Sequence, residues 1–264
     1  MNPSSHHDDD LWSFLRTLGL AALIAIVFRA FLFEPFSIPS GSMVPTLLVG
    51  DYLFVTKFSY GYSARSIGLG FLEDMGVKAF SGRLFEEKPK RGDVVVFKLP
   101  TDGRTDYVKR LIGLPGDKIQ VQEGRLWING VMMDRASDGV YNLRGDDLEE
   151  DHPYFRQMFS MEGRLFKETL PEGQVHPILE MSDEGRLDNT PVYTVPEGHY
   201  FMMGDNRDNS QDSRVQRRVG FVPEEFLVGK ASFIFFSLKN GIPFWKFWLW
   251  PSHIQLDRFF KGIS

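Results

Sequence analysis

The sequence predicts a mainly β protein carried behind one N-terminal transmembrane helix, and two patterns carry that prediction. Residues 11–33, LWSFLRTLGLAALIAIVFRAFLF, form a single apolar segment. At a rise of about 1.5 Å per residue it covers a hydrocarbon core of about 30 Å. After Pro35 no long helical period returns. The chain falls instead into short β-branched and aromatic runs bounded by Gly, Pro, Asn and Asp, the pattern of strands joined by tight turns.

Composition narrows the function. The 264 residues carry a net charge of −5, which offers no basic field for phosphates and argues against a nucleic-acid partner. With no cysteine, a disulfide framework, a thiolate nucleophile and a cysteine-ligated zinc are excluded. Phenylalanine, 24 residues, gathers with tryptophan near both ends, where such rings suit a membrane interface.

Residues 1–10 read as a disordered, acidic start (Asp8, Asp9, Asp10) rather than the basic start of a cleaved secretory signal, so the 11–33 helix is expected to stay on the protein. Arg16 and Arg29 lie near its ends and can extend their stems toward the headgroups. Further on, Arg91-Gly92-Asp93 leads into VVVF, and residues 107–112 form a second run expected to pair with it as a hairpin. Leu114-Pro115-Gly116-Asp117 places Pro and Gly where a type II turn needs them, returning the chain through 118–122. Glu123-Gly124 and Asn129-Gly130 punctuate the next strands of a meander. Residues 137–189 turn polar and acidic (GDDLEEDHP, EMSDEGRLDN) and read as a loop-rich inserted lobe. Strand character resumes at 192–203 and 229–236, and PFWKFWLWP then supplies aromatics suited either to a membrane interface or to a core edge.

Three segments stand out chemically. In residues 38–47, IPSGSMVPTL, two prolines and Gly41 make a stiff, sharply turned stretch that either displays Ser42 as a nucleophile or is a plain turn. No histidine lies in a triad context, which leaves lysine as the base. In DYVKRLI, strand periodicity sets Lys109 on the face of Tyr107 and Leu111, an apolar setting. Desolvation of that kind can bring a lysine from about 10.4 down to the 7–8 a general base needs. The alternative is a solvated lysine on an exposed face. Residues 204–214, GDNRDNSQDSR, form a densely cross-bonded loop. A calcium-loop pattern fails there, because Ser213 stands where glycine belongs and Val219 where glutamate does, so no metal is implied.

Taken together, SGSMVPTL, YVKRLIGLPGD and GDNRDNSQDSR, with RGDVVVF between, resemble the motifs of the bacterial signal peptidase I family. The resemblance implies an all-β Ser/Lys peptidase fold: a catalytic β core (34–119 and 199–264) and an inserted second β domain (120–198). It implies Ser42 as nucleophile and Lys109 as general base. Ser210 would hydrogen-bond the lysine, and Ser40 with the Ser42 N–H would bind the oxyanion. Phe36, Ile38, Met43, Leu47 and Val108 become candidates for shallow pockets selecting a small-X-small cut site. Arg110, Asp212 and Arg214 become an ion-pair network bracing the loop of Ser210. No cofactor is implied. The partners would be exported preproteins with signal peptides and the lipid bilayer, with the N-terminus in the cytoplasm and the catalytic body on the outer face of the bacterial cytoplasmic membrane. A self-cleaving repressor is excluded by the membrane segment and the lack of a helical DNA-binding domain. A membrane-tethered β domain that binds exported proteins without cleaving them is the other reading.

Overall fold

A computed structural model describes residues 5–68, 82–143 and 161–264. Helix α1 spans Ser5–Phe31. It therefore starts within the stretch expected to be disordered, where acidic sequence is compatible with the positive end of the helix dipole; residues 1–4 lie outside the described residues. Its Leu11–Phe31 part is long and apolar enough to cross a membrane, and among the described residues nothing buries it before its last turn. The helix ends two residues earlier than expected. Leu32 N–H closes the last turn on Phe28 O, and Phe33 already pairs with Thr56 as the first residue of strand β1 (Phe33–Ser37). Pro35 is tolerated because β1 is an edge strand with one ladder partner.

The large sheet is antiparallel. It runs β1, β2 (Asp51–Thr56), β14 (Leu227–Ser237), β3 (Val94–Lys98), β4 (Asp106–Gly113), β12 (His199–Met203), β13 (Val222–Pro223), with β15 (Lys261–Gly262) added to β14. The expected hairpin is β3 with β4, in register from Val94 opposite Arg110 to Lys98 opposite Asp106. The following turn forms as the sequence demands, with Asp117 N–H on Leu114 O at 3.0 Å and Gly116 at φ +86°. Beyond it β5 (Lys118–Gln122), β6 (Arg125–Ile128) and β7 (Val131–Met132) make the meander. Both of its turns hold two successive positive φ values, at Glu123-Gly124 and Asn129-Gly130.

The polar lobe is more regular than its sequence suggests. β8 (Asp134–Leu143), β9 (Met161–Thr169) and β10 (Val175–Glu180) form a three-stranded antiparallel sheet. Most of β8 is exposed, so its ladder hydrogen bonds specify the strand while its side chains carry no apolar alternation. The acidic run 145–153 lies outside the described residues. The single strand expected over 192–203 is two. β11 (Tyr193–Thr194) pairs with β5, the chain turns at Gly198 (φ +70°), and β12 joins the large sheet. Lys118 and Ile119, expected in the core portion, begin β5 of the smaller sheet, so the strands of the two smaller sheets start at Lys118 and end at Thr194.

A shared apolar cluster joins the sheets. Ile112, Phe201 and Met203 from the large sheet pack with Ile119, Val121, Leu126 and Ile128 from the meander. Each such side chain contributes about 1.5–3 kcal/mol on burial. Near the C-terminus the aromatic segment divides. Trp250, opening helix α2 (Trp250–His253), stacks 4.8 Å from Phe236, while Trp245, Phe247 and Trp248 stay more than 60% exposed.

Gly113 sits where the sheets meet, and a Cβ there would lie 2.8 Å from Phe201 Cβ and 2.9 Å from Ile119 Cγ1. Gly113→Ala is expected to destabilise the protein by about 1–3 kcal/mol through overpacking, read as a lower urea midpoint at unchanged slope.

Candidate active site

Ser42 lies in a one-turn 3-10 helix, Gly41–Met43, in which Met43 packs into the core at 1% exposure and Ser42 is 3% exposed. The flanking backbone is pinned to the sheet. Ile38 N–H donates to Asp51 O, Gly50 N–H to Ile38 O, and Leu47 N–H to Met43 O. Lys109 comes from the middle of β4, opposite Val95, and is itself 3% exposed. Its Nζ donates a hydrogen bond to Ser42 Oγ and stands 5.5 Å from the centre of the Tyr107 ring. Tyr107 and Leu111 share one apolar cluster with Val95 and Phe97, so the face predicted for the lysine is the face it occupies. Ser40 Oγ lies 3.4 Å from Ser42 Oγ.

The 204–214 loop seals this arrangement from behind. Asn206, fully buried, donates its backbone N–H to Ser42 O at 3.1 Å and its side-chain Nδ2 to Gly41 O at 3.0 Å. Nothing in the sequence singled out Asn206 from its polar neighbours. Arg110 makes a bidentate pair with Asp205, both contacts at 2.8 Å, and donates to Gly92 O at 2.7 Å. The expected single network of Arg110, Asp212 and Arg214 is thus two separate pairs, because Asp212 accepts from Arg214 (2.9 Å twice) and from Gly204 N–H. A third pair, Arg207 with Glu168, ties the loop to β9.

Ser210 also differs from expectation. Its Oγ is buried and makes no hydrogen bond with Lys109, and it turns instead to the side of the Asp212 carboxylate. The hydroxyl also rests against Gly204, where a Cβ would fall 2.3 Å from Ser210 Oγ and 2.5 Å from Ser42 O. Glycine is the residue that lets the loop close this tightly on the serine.

A cleft of about 220 Å³ opens over Ser40, Ser42 and Lys109. Ile38, Met43 and Val108 line it as expected, with Tyr107, Gln211 and Arg218 in addition. Leu47 and Phe36 do not. Leu47 is fully buried in the core beneath, and Phe36 packs on the same core and faces a separate hollow beside the end of α1.

A family model described as signal peptidase, peptidase S26, matches residues 11–236. The chain belongs to this family. A signal peptidase I of Rickettsia typhi is 42% identical over 91% of this chain and 89% of its own length, and one of Rickettsia canadensis 40% identical over 94% and 92%. A crystal structure of a signal peptidase I from Enterococcus faecalis is 28% identical, covering 55% of this chain and 98% of that one, with a TM-score of 0.30.

In this peptidase, burial alone would raise the carboxyls of Asp205 and Asp212, but Arg110 beside the first and Arg214 beside the second outweigh it and hold both below the ordinary value. A carboxyl depressed on folding stabilises above its unfolded value of about 3.9, and that stabilisation is lost as pH falls through the folded value. The thermal midpoint is therefore expected to fall below about pH 4, less steeply in Asp212→Asn. Asp205→Asn, which strands the buried Arg110, is expected to cost about 3–5 kcal/mol in urea unfolding, with part recovered in the double variant Arg110→Met, Asp205→Leu.

Proposed function

We propose that this membrane-anchored peptidase removes signal peptides from exported preproteins with Ser42 as nucleophile and Lys109 as general base. The carrying observation is the buried hydrogen bond from Lys109 Nζ to Ser42 Oγ at the floor of the cleft. No histidine or carboxylate is hydrogen-bonded to Ser42 among the described residues, and a lysine kept among apolar side chains is the kind that can act in its neutral form.

Neutral Lys109 takes the Ser42 proton as Oγ attacks the scissile carbonyl carbon. The oxyanion that forms is met by the Ser42 N–H and the Ser40 hydroxyl, donors fixed before the reaction begins. Lys109, now an ammonium, passes its proton to the departing amine, leaving an acyl-enzyme on Ser42. A water deprotonated by Lys109 then attacks the ester, and the proton returns to Ser42 Oγ as the signal peptide leaves as an acid. Ser210 acts by position, filling the space behind the pair with Gly204. The small apolar hollows at Ile38, Met43 and Val108 suit small side chains at the first and third positions before the cut.

The anchor is α1, with its N-terminus in the cytoplasm and the sheets on the outer face of the bacterial cytoplasmic membrane. The exposed rings of Phe244, Trp245, Phe247 and Trp248 supply a second apolar contact for the lipid bilayer.

On a purified signal-peptide precursor in detergent, the wild type is expected to cut after a small-X-small sequence. Ser42→Ala and Lys109→Ala are each expected to lose on the order of 10⁴-fold or more in rate while keeping their thermal midpoint. A folded Lys109→Ala variant of near wild-type rate would remove lysine from the mechanism.

A further inference from the structure

Behind the catalytic loop, three carboxylates from separate stretches converge. Glu180 closes β10, Asp188 lies in the 181–189 segment, and Asp208 precedes Ser210 by two residues. Each offers one oxygen, and the three oxygens lie within 4.8 Å of one another. Glu180 and Asp188 are 1% exposed, and Glu180 Oε2 and Asp188 Oδ1 accept no hydrogen bond from the described residues. Gly185 leaves the cradle open. A Cβ there would fall 2.6 Å from Asp208 Oδ1 and 2.9 Å from Asp188 Oδ2.

The outward oxygens are already engaged. Asp208 Oδ2 accepts the N–H groups of Met181 and Ser182 at 2.6 and 2.9 Å, Asp188 Oδ2 accepts that of Gly185, and Glu180 Oε1 lies 3.6 Å from Arg135. The neighbouring cations are committed elsewhere: Arg207 to Glu168, Arg214 to Asp212, and Arg135 in part to Asp183. Like charges sealed together without donors are strongly unfavourable, and the remedies are a proton or a cation.

We propose that Glu180, Asp188 and Asp208 bind a divalent cation of the calcium class, clamping β10 and the 181–189 segment to the loop that carries Ser210. An all-oxygen, all-carboxylate donor set is that of a hard cation rather than of zinc, and water or backbone carbonyls would complete the six to eight ligands calcium takes. None of the three carboxylates lines the cleft over Ser42 and Lys109, so the test of this site does not depend on their roles.

The full-length protein in detergent, stripped with a chelator, would be titrated with calcium chloride by calorimetry and melted with and without the ion. One calcium per chain is expected, with an affinity in the ~0.1–1 mM range of extracellular sites and a raised thermal midpoint. Glu180→Gln and Asp188→Asn are expected to bind about tenfold or more weakly and to lose the calcium-dependent rise. In chelator both should melt at or above the wild-type temperature, since Gln and Asn keep the shape of the carboxyl groups and add no buried charge, which separates loss of the site from loss of the fold. Absence of saturable binding to wild type, or an undiminished calcium response in both folded variants, overturns the proposal and leaves the cluster held by a proton.

Discussion

The buried pair of Arg110 and Asp205 is the joint from which the catalytic geometry hangs. Arg110 follows Lys109 directly on β4, Asp205 opens the 204–214 loop, and Thr46, from the segment of Ser42, donates to the same carboxylate. Three stretches distant in sequence thus meet at one ion pair whose members are each 1% exposed. Two charges taken so far from water recover their hydration only if nearly every donor and acceptor is used. Here the guanidinium spends its donors on both Asp205 oxygens and on Gly92 O. Because side chains alternate along a strand, anchoring Arg110 on one face of β4 fixes the aim of Lys109 on the other.

Asn206 completes the same logic on the backbone. By binding the carbonyls of Gly41 and Ser42, it fixes the short helix of the serine without touching the serine's side chain. The hydroxyl then has one strong partner, the lysine, and is not drawn into a structural hydrogen bond of the loop.

The strands with strong turn chemistry were legible in sequence, and for physical reasons. Gly116, Glu123-Gly124 and Asn129-Gly130 demand local backbone conformations that few other residues supply, and each appears where its turn requires. The apolar face of Lys109 followed from strand periodicity, and the pairing of Ser42 with Lys109 from the motifs together. What escaped was non-local or half-solvated. β8 has no apolar alternation because most of it faces water, so its ladder partner β9 alone defines it. Leu47, a pocket candidate by the family resemblance, is fully buried beneath the floor, a depth that the short motif around Ser42 does not encode. The partner of Arg110 could not be told from sequence, since three aspartates of one loop, at 205, 208 and 212, are chemically alike and diverge only in where the loop points them.

The junction between helix and sheet has a geometric consequence of its own. Leu32 alone separates the end of α1 from β1, and Glu34, the second residue of that strand, joins Arg29 on the helix to the buried Lys57 on the body. Such a joint has no slack. With α1 in the bilayer, as proposed above, a joint this short would hold the cleft at a set height over the point where the helix leaves the lipid, a ruler as much as a pocket. On that footing a bond of suitable sequence presented higher or lower would pass out of reach, and encounter would become a search in two dimensions across the membrane plane.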